Sequence, residues 1–233
     1  MEQIAYRDGE IALTGLLFKP KGQPRAAIAI FPTIMNQNVT MTNKALALAE
    51  AGYLALVGDF YGQNPGTFQD ARELSSPFAE SPKAFRERCR AGLNALTALP
   101  EAQGLPVAAI GFCMGGRAVL ELARMGLPLS AAVSFHGLLD RLDDAVAEPG
   151  SITARILVCH GDADTLVPRS QVVGFWEEMD AAKANWHFHS YSNVPHGFTN
   201  PIGADGNPSP SYNASADRQS WAAMHSLFDE VFA

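Results

Sequence analysis

The chain has 233 residues, 47% of them hydrophobic, with 24 acidic against 17 basic side chains, a net charge of −7 and an isoelectric point near 5.3. That is enough apolar material for a large core, and the length fits one α/β domain over residues 1–233. No basic cluster offers a nucleic-acid surface, and no apolar run nears the roughly 20 residues of a membrane span.

The first ten residues carry acids and no apolar stretch, so they do not read as a signal peptide, and a cytoplasmic location is expected. Residues 4–6 and 11–18 read as strands joined at Asp8-Gly9, an antiparallel entry hairpin. Residues 19–25, with Pro20, Gly22 and Pro24, form a loop. Residues 26–31 are a continuous apolar run, as a strand buried on both faces requires. After a loop over 31–38, the spacing predicts a helix over 40–51, with Thr40 or Thr42 as N-cap and Gly52 as its stop. A buried strand over 53–57 follows. Residues 58–82 are rich in turn formers and read as one long loop, of the kind that serves as a lid or binding wall. A helix over 83–99 ends at Pro100.

The second half alternates more regularly. It gives a strand over 106–110, a helix over 114–125, a strand over 129–135 and a connection over 138–151. A strand over 155–160, a helix over 169–183, a strand over 186–191, a loop over 193–213 and a closing helix over 214–232 complete it. Strands alternating with helices predict a mainly parallel sheet covered on both faces. In such sheets the site lies beyond the carboxyl ends of the strands.

Three places at strand ends carry chemistry. Gly111-Phe112-Cys113-Met114-Gly115-Gly116 lies between a strand and a helix. It is a nucleophile elbow, G-x-S-x-G, with cysteine in place of serine. The tight turn needs its glycines and aims a helix N-terminus at whatever the sulfur attacks. A lone buried cysteine is more often inert packing, so the other two places matter. Asp162 and Asp164 share the turn after the 155–160 strand. Asp162 reads as a helix-start acid; Asp164, in G-x-x-D-x-x-V-P, is the functional candidate. His196 sits between Pro195 and Gly197 in the loop after the last strand. His136 and His160 end strands near the same place, His187 and His189 share one strand face, and His225 lies on the last helix. Nucleophile, acid and histidine in that order is the order of the α/β-hydrolase fold. Neither CxxC nor HExxH occurs, so no metal is expected. The three cysteines, Cys89, Cys113 and Cys159, are too few and odd in number for a disulfide framework.

At these residues the chain resembles the dienelactone hydrolase family, small α/β-hydrolases related to carboxymethylenebutenolidase. The resemblance rests on G-F-C-x-G-G, G-x-x-D-x-x-V-P, P-H-G-F and the D-F-Y-G of Asp59 to Gly62, and spans nearly the whole chain. It implies a Cys113, Asp164 and His196 triad, with an oxyanion hole from the backbone N–H groups of Ile34 and Met114. It further implies a small-molecule ester or lactone as substrate, no cofactor and a pocket near Thr33, Tyr61, Phe112 and Phe198. Founding members carry a Glu that pairs with the resting thiol; the matching position here is Thr33. They also carry a substrate-binding Arg after the histidine; here that position is Asn200. Arg72, Arg86 and Arg88 are the candidates for the family's other carboxylate-binding Arg. The departures point away from dienelactone and toward a neutral ester or lactone. The alternatives are another activated electrophile, such as a thioester or organophosphate, and a non-catalytic relative that binds a small molecule. A monomer is compatible with the sequence, and the oligomeric state is left open.

Overall fold

A computed structural model of the chain describes residues 1–143 and 146–233. Asp144 and Ala145, in the connection expected over 138–151, lie outside the described residues. The strands are β1 (Glu2–Asp8), β2 (Ile11–Phe18), β3 (Ala27–Phe31), β4 (Leu54–Val57), β5 (Val107–Phe112), β6 (Ala131–Phe135), β7 (Arg155–Gly161) and β8 (Trp186–Tyr191). They form one sheet in the order β1-β2-β4-β3-β5-β6-β7-β8. The pairs β1–β2 and β2–β4 are antiparallel and the other pairs parallel. This is the α/β-hydrolase arrangement expected from the alternating pattern.

Strand alternation divides the core in two. In β3, Ala27, Ala29 and Phe31 face one side, and Ile28 and Ile30 face the other. The first side is covered by α3 (Pro82–Thr97), α4 (Met114–Arg124) and α5 (Arg169–Ala181); the second by α1 (Val39–Glu50) and α6 (Ala214–Val231). Both faces being dry explains why the central strands read as unbroken apolar runs. No helix among the described residues is long and apolar enough to cross a membrane.

Two local expectations are corrected. The cap of α1 is Asn38, not Thr40 or Thr42: Asn38 is extended and its side chain accepts the Met41 N–H at 3.1 Å. The long loop expected over 58–82 contains a helix, α2 (Phe68–Glu80). Thr67 and Asp70 form a reciprocal capping box at its start. Pro77 would leave the Glu73 carbonyl unpaired, and the Ser76 hydroxyl donates to that oxygen at 2.9 Å. Ser81 then caps α3 directly. The proline and serines hide the helical period in the sequence; the T-x-x-D box was its legible trace.

Candidate active site

The elbow is shaped by close approach. A Cβ on Gly111 would lie 1.8 Å from the Gly115 carbonyl oxygen, and one on Gly115 would lie 2.0 Å from that of Phe31. A Cβ on Gly116 would meet the Cα of Gly137 at 2.6 Å. The obstructing atoms are backbone, which cannot swing aside. Cys113 has φ 55° and ψ −114°, a costly conformation for a residue with a Cβ. It is held by its N–H donating to the Phe135 carbonyl and by its own carbonyl accepting from Gly116 and Arg117. Gly115→Ala is therefore expected to cost about 3 kcal/mol or more, read as a fall in the urea midpoint. An unchanged midpoint would show that the turn is looser than these distances require.

The acid and the histidine come from neighbouring strands, β7 and β8, and their loops are laced together. The Ala163 N–H donates to the Val194 carbonyl at 3.0 Å, and the Asp162 N–H to that of Tyr191 at 2.9 Å. His196 Nδ1 lies 2.7 Å from Asp164 Oδ2, and the Leu166 N–H donates to the other carboxylate oxygen at 2.8 Å. The Asp164 side chain is fully buried. Asp162 instead pairs with Arg169, at 3.0 and 2.6 Å, outside this cluster.

His196 Nε2 is buried without a regular hydrogen bond, so its coupling to the Cys113 sulfur is one of proximity and charge. Burial by itself would raise the thiol pKa. The charge of His196 across that contact, with the N–H groups of Met114 and Ile34, outweighs it and brings that pKa below its usual value. Burial likewise opposes the imidazolium, yet Asp164 and Cys113 raise the His196 pKa to about 10. Both shifts favour a thiolate–imidazolium pair. The α4 N-terminus favours the same charge on sulfur.

The loop carrying Ile34 is fixed from behind. Asn36, at φ 53°, donates to Asp59 Oδ1 at 2.8 Å and to the Gln63 carbonyl, and accepts the Phe60 N–H. Asp59 also accepts the N–H groups of Thr14, Tyr61 and Gly62. So the D-F-Y-G turn is the anchor of this loop, a role that sequence reading did not assign.

Two cavities meet at Cys113 and His196. One, of about 400 Å³, is bordered by the loop after β3 and the histidine loop, and includes Thr33 and Asn200. The other, of about 290 Å³, lies against α2 and α4. Of the pocket residues expected from sequence, Thr33 lines the first. Tyr61 lines neither; its hydroxyl donates to the Ile34 carbonyl at 3.1 Å. Phe112 and Phe198 are not brought to the cavities. Both are fully buried on the α1–α6 side, Phe112 because alternation sets it with Ala108 and Ile110. Arg86 is held by Glu121 and bidentately by Asp143, and Arg88 by Asp8 and the Phe60 carbonyl. Arg72 is exposed on α2. None of the three lines either cavity.

His136 is fully buried with its ring 5.2 Å from that of His196 and Nε2 2.9 Å from the Thr199 hydroxyl. Burial, then the charges of His196 and Lys44, keep it neutral. It packs beneath the site. His160 is also buried, against Phe188. Among the described residues no group of three or more His, Cys, Asp or Glu side chains is placed to hold a metal ion.

Known proteins resemble this chain in sequence and fold. The crystal structure of P91, a dienelactone hydrolase-like promiscuous phosphotriesterase from metagenomic libraries, is similar with a TM-score of 0.90 at 35% identity, covering 100% of this chain and 98% of that one. An uncharacterised Caenorhabditis elegans protein, K02A2.1, is 37% identical over 151 residues, 64% of this chain and 95% of its own. A carboxymethylenebutenolidase homolog of Xenopus tropicalis is 22% identical over 82% of this chain and 77% of its own. The sequence model of the dienelactone hydrolase family matches residues 13–232. The chain is a hydrolase of the dienelactone hydrolase family.

Proposed function

We propose that the chain hydrolyses carboxylic esters or lactones through an acyl-cysteine intermediate, with Cys113 as nucleophile, His196 as acid and base, and Asp164 orienting the imidazole. The observation that carries this reading is the 2.7 Å His196–Asp164 bond beside a strained elbow cysteine whose thiol pKa is lowered. The Cys113 thiolate adds to the ester carbonyl, and the N–H groups of Ile34 and Met114 hold the oxyanion. As the C–O bond breaks, His196 Nε2–H protonates the departing alkoxide, leaving a thioester. Neutral His196 then takes a proton from water, the hydroxide adds to the thioester, and the acid leaves as sulfur regains its electron pair. Every proton is returned, and the cycle needs no cofactor.

Two measurements test the reading. Brief mixing with p-nitrophenyl butyrate, then acid quench and mass spectrometry, should add one butyryl group on Cys113; a full burst of nitrophenol with no adduct counts against it. Iodoacetamide alkylation of Cys113 should inflect below the free-thiol pKa of about 8.5, because the pKa is lowered. Thr33 offers no carboxylate to oppose the thiolate. An inflection at the free-cysteine value would contradict the ion pair.

A second reading is favoured by the likeness to the phosphotriesterase P91: the same thiolate attacking phosphorus in a dialkyl aryl phosphate. Release of the aryl alcohol by wild type but not by Cys113→Ala would support it.

A further inference from the structure

The two cavities that meet at Cys113 and His196 differ in chemistry, and the difference is read here on the ester-hydrolase proposal above. The larger one is the more polar: Thr33, Asn64, Asn200, Ser209 and Ser211 line it beside apolar residues such as Met35, Val39 and Ile202. Apart from Cys113 and His196, no ionisable side chain is among the described residues lining it. Hydroxyl and amide side chains both donate and accept, which suits an uncharged, hydroxylated group. A carboxylate there would lose water and find no cation besides His196, whose charge is already shared by Asp164 and Cys113.

The smaller cavity is walled by Phe68, Phe78, Phe85, Leu138, Leu142 and Leu166. The cation bordering it, Arg117, is paired with Asp140. Its volume of about 290 Å³ equals roughly ten water-sized groups at about 30 Å³ each. That is room for about six to eight carbons or an aryl ring. Ile34 and Phe68 border both cavities, so one substrate can reach into each.

Cys113 and His196 border both cavities, so the groups flanking each one distinguish the two halves of the ester. The leaving oxygen must depart toward His196, whose own loop builds the polar cavity through Gly197, Asn200 and Gly203. The acyl group stays on Cys113, beside the Met114 and Arg117 side of α4, which borders the apolar cavity. We infer that the preferred substrates join an apolar acyl group of medium length, or an aryl acyl group, to a small uncharged polyhydroxy alcohol.

The test is a matched set of esters on the full chain: glycerol 1-octanoate, glycerol 1-acetate, and the octanoyl ester of glycerate, which differs from the first by a carboxylate. p-Nitrophenyl acetate, with Cys113→Ala as control, reports separately on the catalytic reading. Each methylene taken out of water is worth up to about fourfold. Glycerol octanoate should therefore exceed glycerol acetate in kcat/KM by at least about tenfold, and octanoyl glycerate by a similar factor. Ala79→Trp, which adds an indole at the α2 border of the apolar cavity, should cut the octanoyl-to-acetyl ratio at least about fivefold. Asn200→Arg should shift the preference toward the glycerate ester. If either variant fails to fold, the wild-type ratios decide alone. Cys113-dependent turnover of p-nitrophenyl acetate with an octanoyl-to-acetyl ratio near one, or with glycerate preferred, would overturn the inference and leave the catalytic reading standing. No turnover of p-nitrophenyl acetate would remove both.

Discussion

Replacing Cys113 with alanine is expected to lower kcat/KM for p-nitrophenyl esters by about 10⁴-fold or more while the protein stays folded. The magnitude follows from what the substitution removes. Covalent catalysis is lost outright, and with it the partner that His196 serves. Knocking out a triad nucleophile elsewhere costs about 10⁶ in kcat, with residual catalysis left to oxyanion donors and binding. The Ile34 and Met114 N–H groups remain in the variant, so some residual rate is expected. Folding should survive because Cys113 is only half-buried and alanine keeps the Cβ that its φ of 55° already tolerates. The elbow is fixed by backbone contacts of Gly111, Gly115 and Gly116, none of which the thiol makes. Circular dichroism and the urea midpoint check the fold, and initial rates check the chemistry. Retention of even a tenth of the wild-type rate in a folded variant would assign the nucleophile elsewhere.

The proposed triad residues were legible as candidates because each sits in a short motif just after a strand, where chain order alone fixes the neighbourhood. Cys113, Asp164 and His196 needed no knowledge of packing. The cavity walls depend on packing and were less legible. Phe112 adjoins Cys113 in sequence, but strand parity sends it through the sheet with Ile110, to stack on Phe135 at 4.8 Å. That parity was readable from the run before the elbow. The path of the loop that buries Phe198 was not, since nothing periodic governs it. The apolar wall from α2 was hidden by Pro77 and its flanking serines. The Asn36–Asp59 bond, which steadies the loop carrying Ile34, joins residues 23 apart; no local pattern announces such a pair.

Asp164→Asn should lower kcat/KM by about 10³- to 10⁴-fold, and its pH signature separates orientation from mere packing loss. In wild type the His196 pKa is raised to about 10: burial opposes the charge, and Asp164 with Cys113 overcomes it. A raised histidine pKa contributes stability that is fully present below the unfolded value of about 6.5 and is lost as pH rises through about 10. Asparagine removes the charge that holds the imidazolium, so the variant should be less stable than wild type at pH 6 to 7. The difference should shrink as pH rises through about 10, where wild-type His196 also becomes neutral. The thiol must follow, because His196 is the chief group bringing its pKa down against burial, ahead of the Met114 and Ile34 N–H groups. Alkylation of Cys113 in the variant should therefore inflect at higher pH than in wild type. A variant that lost activity with an unmoved alkylation profile and a pH-independent stability deficit would mean that Asp164 acts only as a packed support for the loop, with the ion pair maintained without it.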